Sequence, residues 1–374
     1  MKVALELQPC CGNRSGIGMY TYELARRMQS GNDLEFTGNI FNFWGRNDNA
    51  DALSGLQMPV RVQQSMPYGV YRRIWHALPI PYHALFPSAD LNVFFNFIVP
   101  PRVKGKVITV IYDMTYLRFP ETMNERNLRR IRGDIAYSVA RSDRIVTISA
   151  FSKREIRELL QVPDEKIEVV YSAPSITGGN VDFQVVRARL GIRRPYLLYV
   201  GTIEPRKNLV RLIQAFDRLK KEKQIPHQLV LAGGGGWKTE EVHRAAEEAQ
   251  FASEILFTGY LSAEEKNTLY RNADVMVFPS LYEGFGMPPL EAMLFGCPVV
   301  CSNAASLPEI VGEAAELVDP LDVQAIVSGV WRVLSDRNYR RSLVERGTQQ
   351  VLQFSWERSA EKMVQIFKET LGGI

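Results

Sequence analysis

Residues 278–296 read Phe278-Pro-Ser-Leu-Tyr-Glu-Gly-Phe-Gly-Met-Pro-Pro-Leu-Glu-Ala-Met-Leu-Phe-Gly296, and this stretch decides the fold. An apolar run, Val275–Phe278, ends in Pro-Ser, a turn signal. Pro288 and Pro289 then suit the opening of a helix, where the missing N–H of proline leaves no bond unmade. A strand, a glycine-bearing loop and a helix make one unit of a parallel α/β sheet. Glu283 falls in the loop and Glu291 in the expected first turn of the helix, on either side of Gly284, Phe285 and Gly286. The glycines let the main chain approach a ligand, whose phosphate or sugar oxygens would meet loop amides and the helix N-terminus. Two glutamates alone would equally fit an acidic first turn that complements the helix dipole.

The same rhythm runs outward in both directions. After residue 194 the sequence predicts strands at Tyr196–Val200, Gln228–Ala232, Ile255–Thr258, Val275–Phe278, Pro298–Cys301 and Glu316–Val318, with helices between them. Before residue 172 it predicts strands at Lys2–Leu7, Leu91–Phe95, Val107–Tyr112, Arg144–Ile148 and Ile167–Val170. Helical spacing over Gly18–Met28 and an N-terminal serine before a helix at Ser152–Leu160 complete the pattern. Periodicity fades between Ser172 and Arg194. The reading is therefore α/β with two Rossmann-like doubly wound domains: residues 1–172, a linker region at 173–194, and residues 195–354. An amphipathic helix over 356–374 is expected to pack back on the first domain. Ligands of such sheets bind beyond the strands' C-terminal ends, so a cleft between the two domains is the expected site.

Composition excludes several classes. The 374 residues are 46% hydrophobic and 23% charged, the balance of an ordinary globular protein rather than a disordered one. No apolar run approaches the ~20 residues that span a bilayer, and Met1–Leu7 reads as a strand with a glutamate in it rather than a signal peptide. A cytoplasmic protein is expected. Cys10/Cys11 and Cys297/Cys301, with histidines scattered at 76, 83, 227 and 243, make a poor metal pattern, so no metal site and no cofactor is expected. The net charge of +4 is too mild to imply nucleic-acid binding. It is uneven, however: residues 1–172 hold 22 Lys/Arg against 17 Asp/Glu. The excess gathers at Arg72-Arg73, Arg102/Lys104/Lys106 and Arg126/Arg129/Arg130/Arg132, which fits either a solvated helix face or docking on an anionic surface. Tyr68–His83 interleaves aromatic, basic and proline residues and suits a membrane interface, or a core helix broken at Pro79 and Pro81.

Other segments at predicted strand ends carry candidate chemistry. Gly201-Thr-Ile-Glu-Pro-Arg206-Lys207-Asn208 puts two adjacent cations where a helix begins, which would neutralise an anionic leaving group without a metal, or form a solvated basic turn. Gly233–Gly236 follows another strand but lacks the order of a dinucleotide fingerprint, so a nicotinamide enzyme is not supported. Gly12, Gly16 and Gly18 make the first strand-to-helix loop permissive. Tyr112-Asp113 ends the strand that begins at Val107, with Asp113 as ligand group or strand-end cap.

Taken together, the 278–296 string, Gly16-Ile-Gly-x-Tyr20, Arg118-Phe-Pro-Glu121, Thr147–Lys153, Gly201–Asn208, Ala304–Glu309 and Phe354-Ser-Trp356 resemble the family 4 retaining glycosyltransferases of the GT-B fold, in a bacterial polysaccharide branch rich in mannosyltransferases. The resemblance covers nearly the whole chain and implies an acceptor-side domain at 1–172 and a nucleotide-sugar-binding domain at 195–354. It implies transfer of a hexose, with retention, from a nucleotide-sugar donor to a hydroxyl of a glycan or lipid-linked saccharide. Mannose from GDP-mannose leads; UDP-glucose, UDP-N-acetylglucosamine and a deoxyhexose donor follow. Arg206 and Lys207 match the diphosphate-binding pair, and both side chains are expected in an open cleft. Glu283 matches the glutamate near the donor sugar, and Glu291 the one at the ribose. Tyr260 and Leu261 match a segment whose backbone holds the base, and Gly16, Gly18, Gly201, Gly233, Gly284, Phe285 and Gly286 fall in donor-side loops. Where many members have His-Asp, this chain has Tyr112-Asp113, which puts the histidine's contact with the donor sugar in doubt; Tyr112 could donate a hydrogen bond there but cannot serve as a base at neutral pH. A nucleotide-sugar 2-epimerase and a non-catalytic sugar-nucleotide sensor are the other readings of two such domains.

Overall fold

Largely apolar, buried runs form the centres of two parallel sheets, as expected where both faces of a strand are covered. The structure, a computed structural model, describes residues 1–12, 16–28, 33–43, 53–78, 80–174, 178–179 and 181–372. The first sheet comprises β1 (Lys2–Glu6), β2 (Glu35–Phe41), β3 (Val60–Gln63), β4 (Leu91–Phe94), β5 (Lys106–Val110), β6 (Arg144–Thr147) and β7 (Ile167–Val169). The second comprises β8 (Tyr196–Val200), β9 (Gln228–Ala232), β10 (Ile255–Gly259), β11 (Val275–Phe278), β12 (Val299–Ser302) and β13 (Glu316–Val318).

The strand orders are β3-β2-β1-β4-β5-β6-β7 and β10-β9-β8-β11-β12-β13, every pairing parallel. Each sheet grows one way from its first strand, then returns and grows the other way. The order reverses between β1 and β4, and again between β8 and β11. All residues of β8, β9, β11 and β12 are buried.

Two strands escape the sequence reading, β2 and β3. In β2 the buried Gly38 and Asn39 look like turn formers. Tertiary pairing with β1 overrides their low strand propensity. β3 is four residues long and sits at the sheet edge.

The chain forms two compact units: Met1–Met114, Glu125–Ser172 and Ser355–Ile374 in one, Thr115–Asn124 and Ala173–Phe354 in the other. Residues 115–124, expected in the first domain, thus group with the second. Trp237 Nε1 donates to the carbonyl of Thr122 (2.6 Å), Lys238 Nζ to that of Glu121 (2.6 Å), and the Phe119 ring packs on Tyr282 at 5.5 Å. The stretch 173–194, expected as linker, holds a helix, Phe183–Leu190, which Asp182 caps and Gly191 ends in a left-handed turn. The last helix, Trp356–Thr370, packs in the first unit: Trp356 edges onto Tyr20 at 5.8 Å, and Met363 and Phe367 are wholly buried.

In the Tyr68–His83 segment a helix spans Tyr68–Ile74, and Pro79 lies outside the described residues. Tyr71, Trp75 and Tyr82 turn inward as core, so for these aromatics the core-helix reading of the segment holds rather than the membrane-interface one. Val70 and Leu78 face out beside Arg73.

Candidate active site

β8 and β11 are hydrogen-bonded neighbours on either side of the point where the second sheet reverses, so the loops leaving their C-terminal ends converge. After β8 the chain makes one tight turn, Pro205–Lys207, closed by Asn208 at φ 61. Asn208 Nδ2 donates to the carbonyls of Pro279 (3.0 Å) and Pro320 (2.7 Å), and Leu281 N donates to the carbonyl of Arg206 (2.9 Å). From the other side, Ser306 Oγ donates to the carbonyls of Glu283 (2.8 Å) and Phe285 (3.0 Å). Both loops are therefore held by neutral hydrogen bonds to main-chain carbonyls before any charge is counted.

Within this frame four charged side chains meet. Lys207 Nζ donates to Glu283 Oε1 at 2.6 Å, and Arg206 Nη1 to Glu283 Oε2 at 2.8 Å. Arg206 also donates to the Tyr282 carbonyl and, through Nη2, to Glu204 Oε1 at 2.7 Å. Glu204, Lys207 and Glu283 are all buried. Burial by itself pushes the Glu283 carboxyl up, but Arg206 and Lys207 outweigh it and hold the group at about 2. The Lys207 ammonium is pushed down, first by burial and then by Arg206, against the pull of the two glutamates. The cluster thus sets two basic side chains against two carboxyl groups. The expectation of open, solvated cations is corrected: the motif glutamate has drawn both into a buried ionic group whose rim keeps 16% of the Arg206 side chain exposed. A cavity of about 310 Å³ borders the turn, lined by Pro205, Asn208, Arg211, Lys238, Glu241 and Leu281 among others.

The glycines form a floor. Gly201 N donates to the Ala232 carbonyl (2.9 Å), Ile203 N to that of Gly234 (3.1 Å), Gly236 N to that of Ile203 (3.0 Å) and Gly233 N to that of Gly259 (3.2 Å). A Cβ on Gly233, whose φ is 152°, would lie 2.0 Å from the Gly201 carbonyl oxygen. The four-glycine run is thus a hydrogen-bonded extension of the sheet, not a loose turn. Beyond Gly259, Tyr260 is 79% exposed and Leu261 half-buried.

Gly286 caps the helix Met287–Leu294, with Gly284 and Phe285 buried just before it. The Phe285 ring packs edge-on against Phe354 at 5.5 Å, so its side chain serves the core. Glu291 is the fifth residue of that helix, in its second turn rather than its first. It receives Lys266 Nζ on both oxygens (2.8 and 2.9 Å) and the Tyr270 hydroxyl at 3.0 Å. Glu291 therefore stands apart from Glu283, with its own partners.

The remaining candidates lie in the first unit. Gly16 and Gly18 fall in the first turn of the helix Gly16–Ala25 rather than in the loop before it. Tyr112 is 5% exposed, its ring set between Tyr20 (5.5 Å) and Phe97 (5.7 Å), and burial pushes its hydroxyl far up. The side chain that replaces the family's histidine is core, and the expectation that it offers a hydrogen bond to a sugar is corrected. Asp113, next along, keeps partial exposure.

Sequence reasoning gave no role to Glu204, Lys266 or Tyr270. A carboxylate two residues before Arg206, in a loop otherwise destined for burial, was a usable signal for Glu204. Lys266 lies 25 residues from Glu291 and gave none. Among the described residues no group of three or more His, Cys, Asp or Glu is placed to hold a metal ion.

Two doubly wound parallel sheets, with an ionic cluster at the reversal point of the second, define a protein of the GT-B class. HepE from Anabaena, solved with UDP and glucose, has the same fold: the TM-score is 0.76 over 99% of this chain and all of that one, at 18% identity. The family described as glycosyl transferases group 1 matches residues 182–350. The chain is 30% identical to O-antigen chain mannosyltransferase B of Escherichia coli, over 98% of this chain and 100% of that protein. It is 31% identical to the serotype-specific mannosyltransferase WbdA of Escherichia coli over 72% of this chain, which spans 34% of WbdA. The chain belongs to the glycosyl transferases group 1 family and is a glycosyltransferase, similar to bacterial O-antigen mannosyltransferases.

Proposed function

We propose that this enzyme transfers mannose from GDP-mannose, with retention, to a hydroxyl of a glycan or lipid-linked saccharide in polysaccharide biosynthesis at the inner face of the membrane. The observation that carries this reading is the Arg206–Lys207–Glu283 cluster at the C-terminal ends of β8 and β11. The bond from the sugar's anomeric carbon to the diphosphate breaks while the acceptor oxygen attacks from the same face, and the departing phosphate takes the acceptor's proton. Arg206 and Lys207 offset the charge that grows on the diphosphate, and Glu283 fixes both cations so that no reorganisation is needed as it grows. Glu291 receives the ribose hydroxyls, with Lys266 and Tyr270 orienting its carboxylate. The step needs no metal ion. The names of the mannosyltransferase relatives support mannose as the sugar.

Contact with an anionic membrane is supported by the exposed Val70 and Leu78 beside Arg73, and by Arg126, Arg129 and Arg132 on the outer face of the helix Glu125–Arg141. Among the described residues no helix is long and apolar enough to cross a membrane.

The test is a panel of nucleotide sugars read by thermal shift, where binding stabilises by RT ln(1 + [L]/Kd), followed by transfer to a mannoside acceptor in EDTA with the product's anomeric configuration read by NMR. GDP-mannose should shift the midpoint most and yield an α-linked product. Preference for another donor, an inverted product, conversion of the donor to its C2 epimer, or activity that EDTA abolishes and Mg²⁺ restores would overturn the corresponding part.

A further inference from the structure

Arg118-Phe-Pro-Glu121 stands outside the ionic cluster, yet it packs against the loops that carry the cluster. The chain leaves the first unit after Met114 and rejoins it at Glu125. Between them lie a short helix, Thr115–Arg118, and a single turn, Pro120–Thr122. Pro120 opens that turn, where its missing N–H leaves no bond unmade. Phe119 N donates to the Thr115 carbonyl (2.8 Å), and Thr122 N (3.0 Å) and Oγ1 (2.7 Å) donate to that of Phe119. The segment thus holds its own shape, with the carbonyls at the end of the turn left over, as at any helix end. Trp237 Nε1 and Lys238 Nζ meet those of Thr122 and Glu121, each at 2.6 Å. Lys238 does so from φ 53, a left-handed conformation that a residue with a side chain adopts at a cost.

Trp237 follows the last residue of the glycine floor. Gly236 N donates to the Ile203 carbonyl (3.0 Å), so Trp237 is one residue removed from the loop that carries Glu204. The same segment sets the Phe119 ring on the buried Tyr282 ring at 5.5 Å. Arg206 donates to the Tyr282 carbonyl, to Glu283 next in the chain, and to Glu204. Residues 115–124 therefore reach the neighbours of every group that aims the Arg206 guanidinium. The cavity of about 310 Å³ between Pro205, Asn208, Lys238 and Leu281 shows that the turn and its adjoining loops do not fill the space among themselves. Support for their spacing must come from another part of the chain, and Phe119 and Trp237 supply it.

We propose that Phe119 and Trp237 are positioning residues for the transfer reaction: through Tyr282 and the glycine floor they hold the Glu204 and Glu283 loops at the spacing at which Arg206 meets the departing diphosphate. The inference rests on the reading of Arg206 as the leaving group's charge partner, and deepens it by naming what aims that partner. A guanidinium donates in a fixed fork, so its worth to a growing charge depends on where the fork points. Truncating Phe119 opens space into which the Tyr282 ring turns, carrying its carbonyl away from Arg206. Such a displacement costs rate more than substrate binding, because the lost contact is made most strongly in the transition state.

The experiment compares the full chain with Phe119→Ala, Phe119→Tyr and Trp237→Phe, by hydrogen exchange and by transfer from GDP-mannose to methyl α-mannobioside. In Phe119→Ala, exchange should quicken severalfold in the loops 201–208 and 279–286 and stay as in the wild type in β12 and β13. Its kcat should fall by about 10–10²-fold, the scale of a misplaced catalytic group, with acceptor KM nearly unchanged. Phe119→Tyr keeps the ring and should restore both readouts. Trp237→Phe removes only the N–H and should lower kcat about fivefold, the scale of one neutral hydrogen bond. On an Arg206→Ala background Phe119→Ala should cost no further kcat, because its effect runs through that guanidinium. Unchanged exchange in both loops, a loss of stability with kcat kept, or full additivity with Arg206→Ala would overturn the proposal. If Phe119→Ala fails to fold, Trp237→Phe decides, and wild-type exchange and kcat in it overturn the proposal. Exchange needs no donor, so a wild type that uses another nucleotide sugar would sink the GDP-mannose reading and leave this test standing.

Discussion

Lys207 Nζ stands 2.6 Å from Glu283 Oε1, joining loops 76 residues apart in the chain. The pair is buried, and Arg206 completes it from the other carboxylate oxygen. One contact thus ties the end of β8 to the end of β11 and fixes the charge beside the reversal point.

Removing one member should leave its partners uncompensated. Lys207→Met is expected to cost roughly 3–5 kcal/mol of stability, and Glu283→Gln added to it should restore part of that loss. Chemical denaturation of the two single variants and the double closes the cycle. If Lys207→Met costs the same with Gln at 283 as with Glu, the coupling is absent. Transfer should fall by about 10²–10³-fold in Lys207→Met, the scale of a lost partner for transition-state charge.

Acid should release the same contact. The folded-state value of Glu283 is depressed to about 2, so its contribution is fully present above the ordinary carboxylate value of 4.5 and is lost as pH falls from there toward 2. The loss for Glu283 is roughly 3 kcal/mol. Denaturant midpoints for the wild type and Glu283→Gln across that range should converge at the acid end. Parallel curves would contradict the assignment.

Glu291 should act on the nucleotide independently of this cluster. Glu291→Ala is expected to weaken GDP binding by roughly 1–3 kcal/mol, the worth of hydrogen bonds to a charged acceptor. Glu283→Gln leaves the Glu291 contacts in place but loosens the Arg206–Lys207 pair, so it should change GDP affinity less than Glu291→Ala does while cutting transfer by about 10² or more. Calorimetry on both, beside a transfer assay, decides the division; equal losses of affinity would sink it.

The glycine floor predicts a contrast between neighbours. Gly233→Ala drives a methyl into the Gly201 carbonyl and should cost roughly 1–3 kcal/mol. Nothing lies within 4 Å of a Cβ on Gly234, so Gly234→Ala should fall within about 0.5 kcal/mol of wild type. Thermal midpoints test both, and comparable losses would show the floor to be no tighter at 233.

If the first unit docks on anionic lipid, vesicle binding should rise with the phosphatidylglycerol fraction and fall with salt, by ~1 kcal/mol per engaged Lys/Arg. Arg73→Glu together with Arg129→Glu should abolish the dependence. Equal partitioning to neutral and anionic vesicles would leave the basic face as solvated surface.

The second sheet was legible almost to the residue, because its strands are uninterrupted apolar runs and its loops carry glycine and proline at turn positions. The first was less so: Gly38 and Asn39 disguise β2, whose identity as a strand comes from pairing with β1. At the site, the motif residues Arg206, Lys207, Glu283 and Glu291 were visible in the sequence, since charged residues in a strand-end loop stand out against their neighbours.

What the sequence determined by itself is local and compositional: the alternation of strands and helices, the class of fold, and the positions of the loop carboxylates and cations. Tertiary structure alone decided which of those charges meet. Burial and pairing are properties of groups brought together from distant parts of the chain, so no spacing could show Glu283 gripping Arg206 and Lys207, or Lys266 holding Glu291. For the same reason Tyr112, which in sequence stands at a ligand position, is core: the rings of Tyr20 and Phe97 close around it, and the free energy of burying an aromatic ring outweighs any role that its place in the motif suggested.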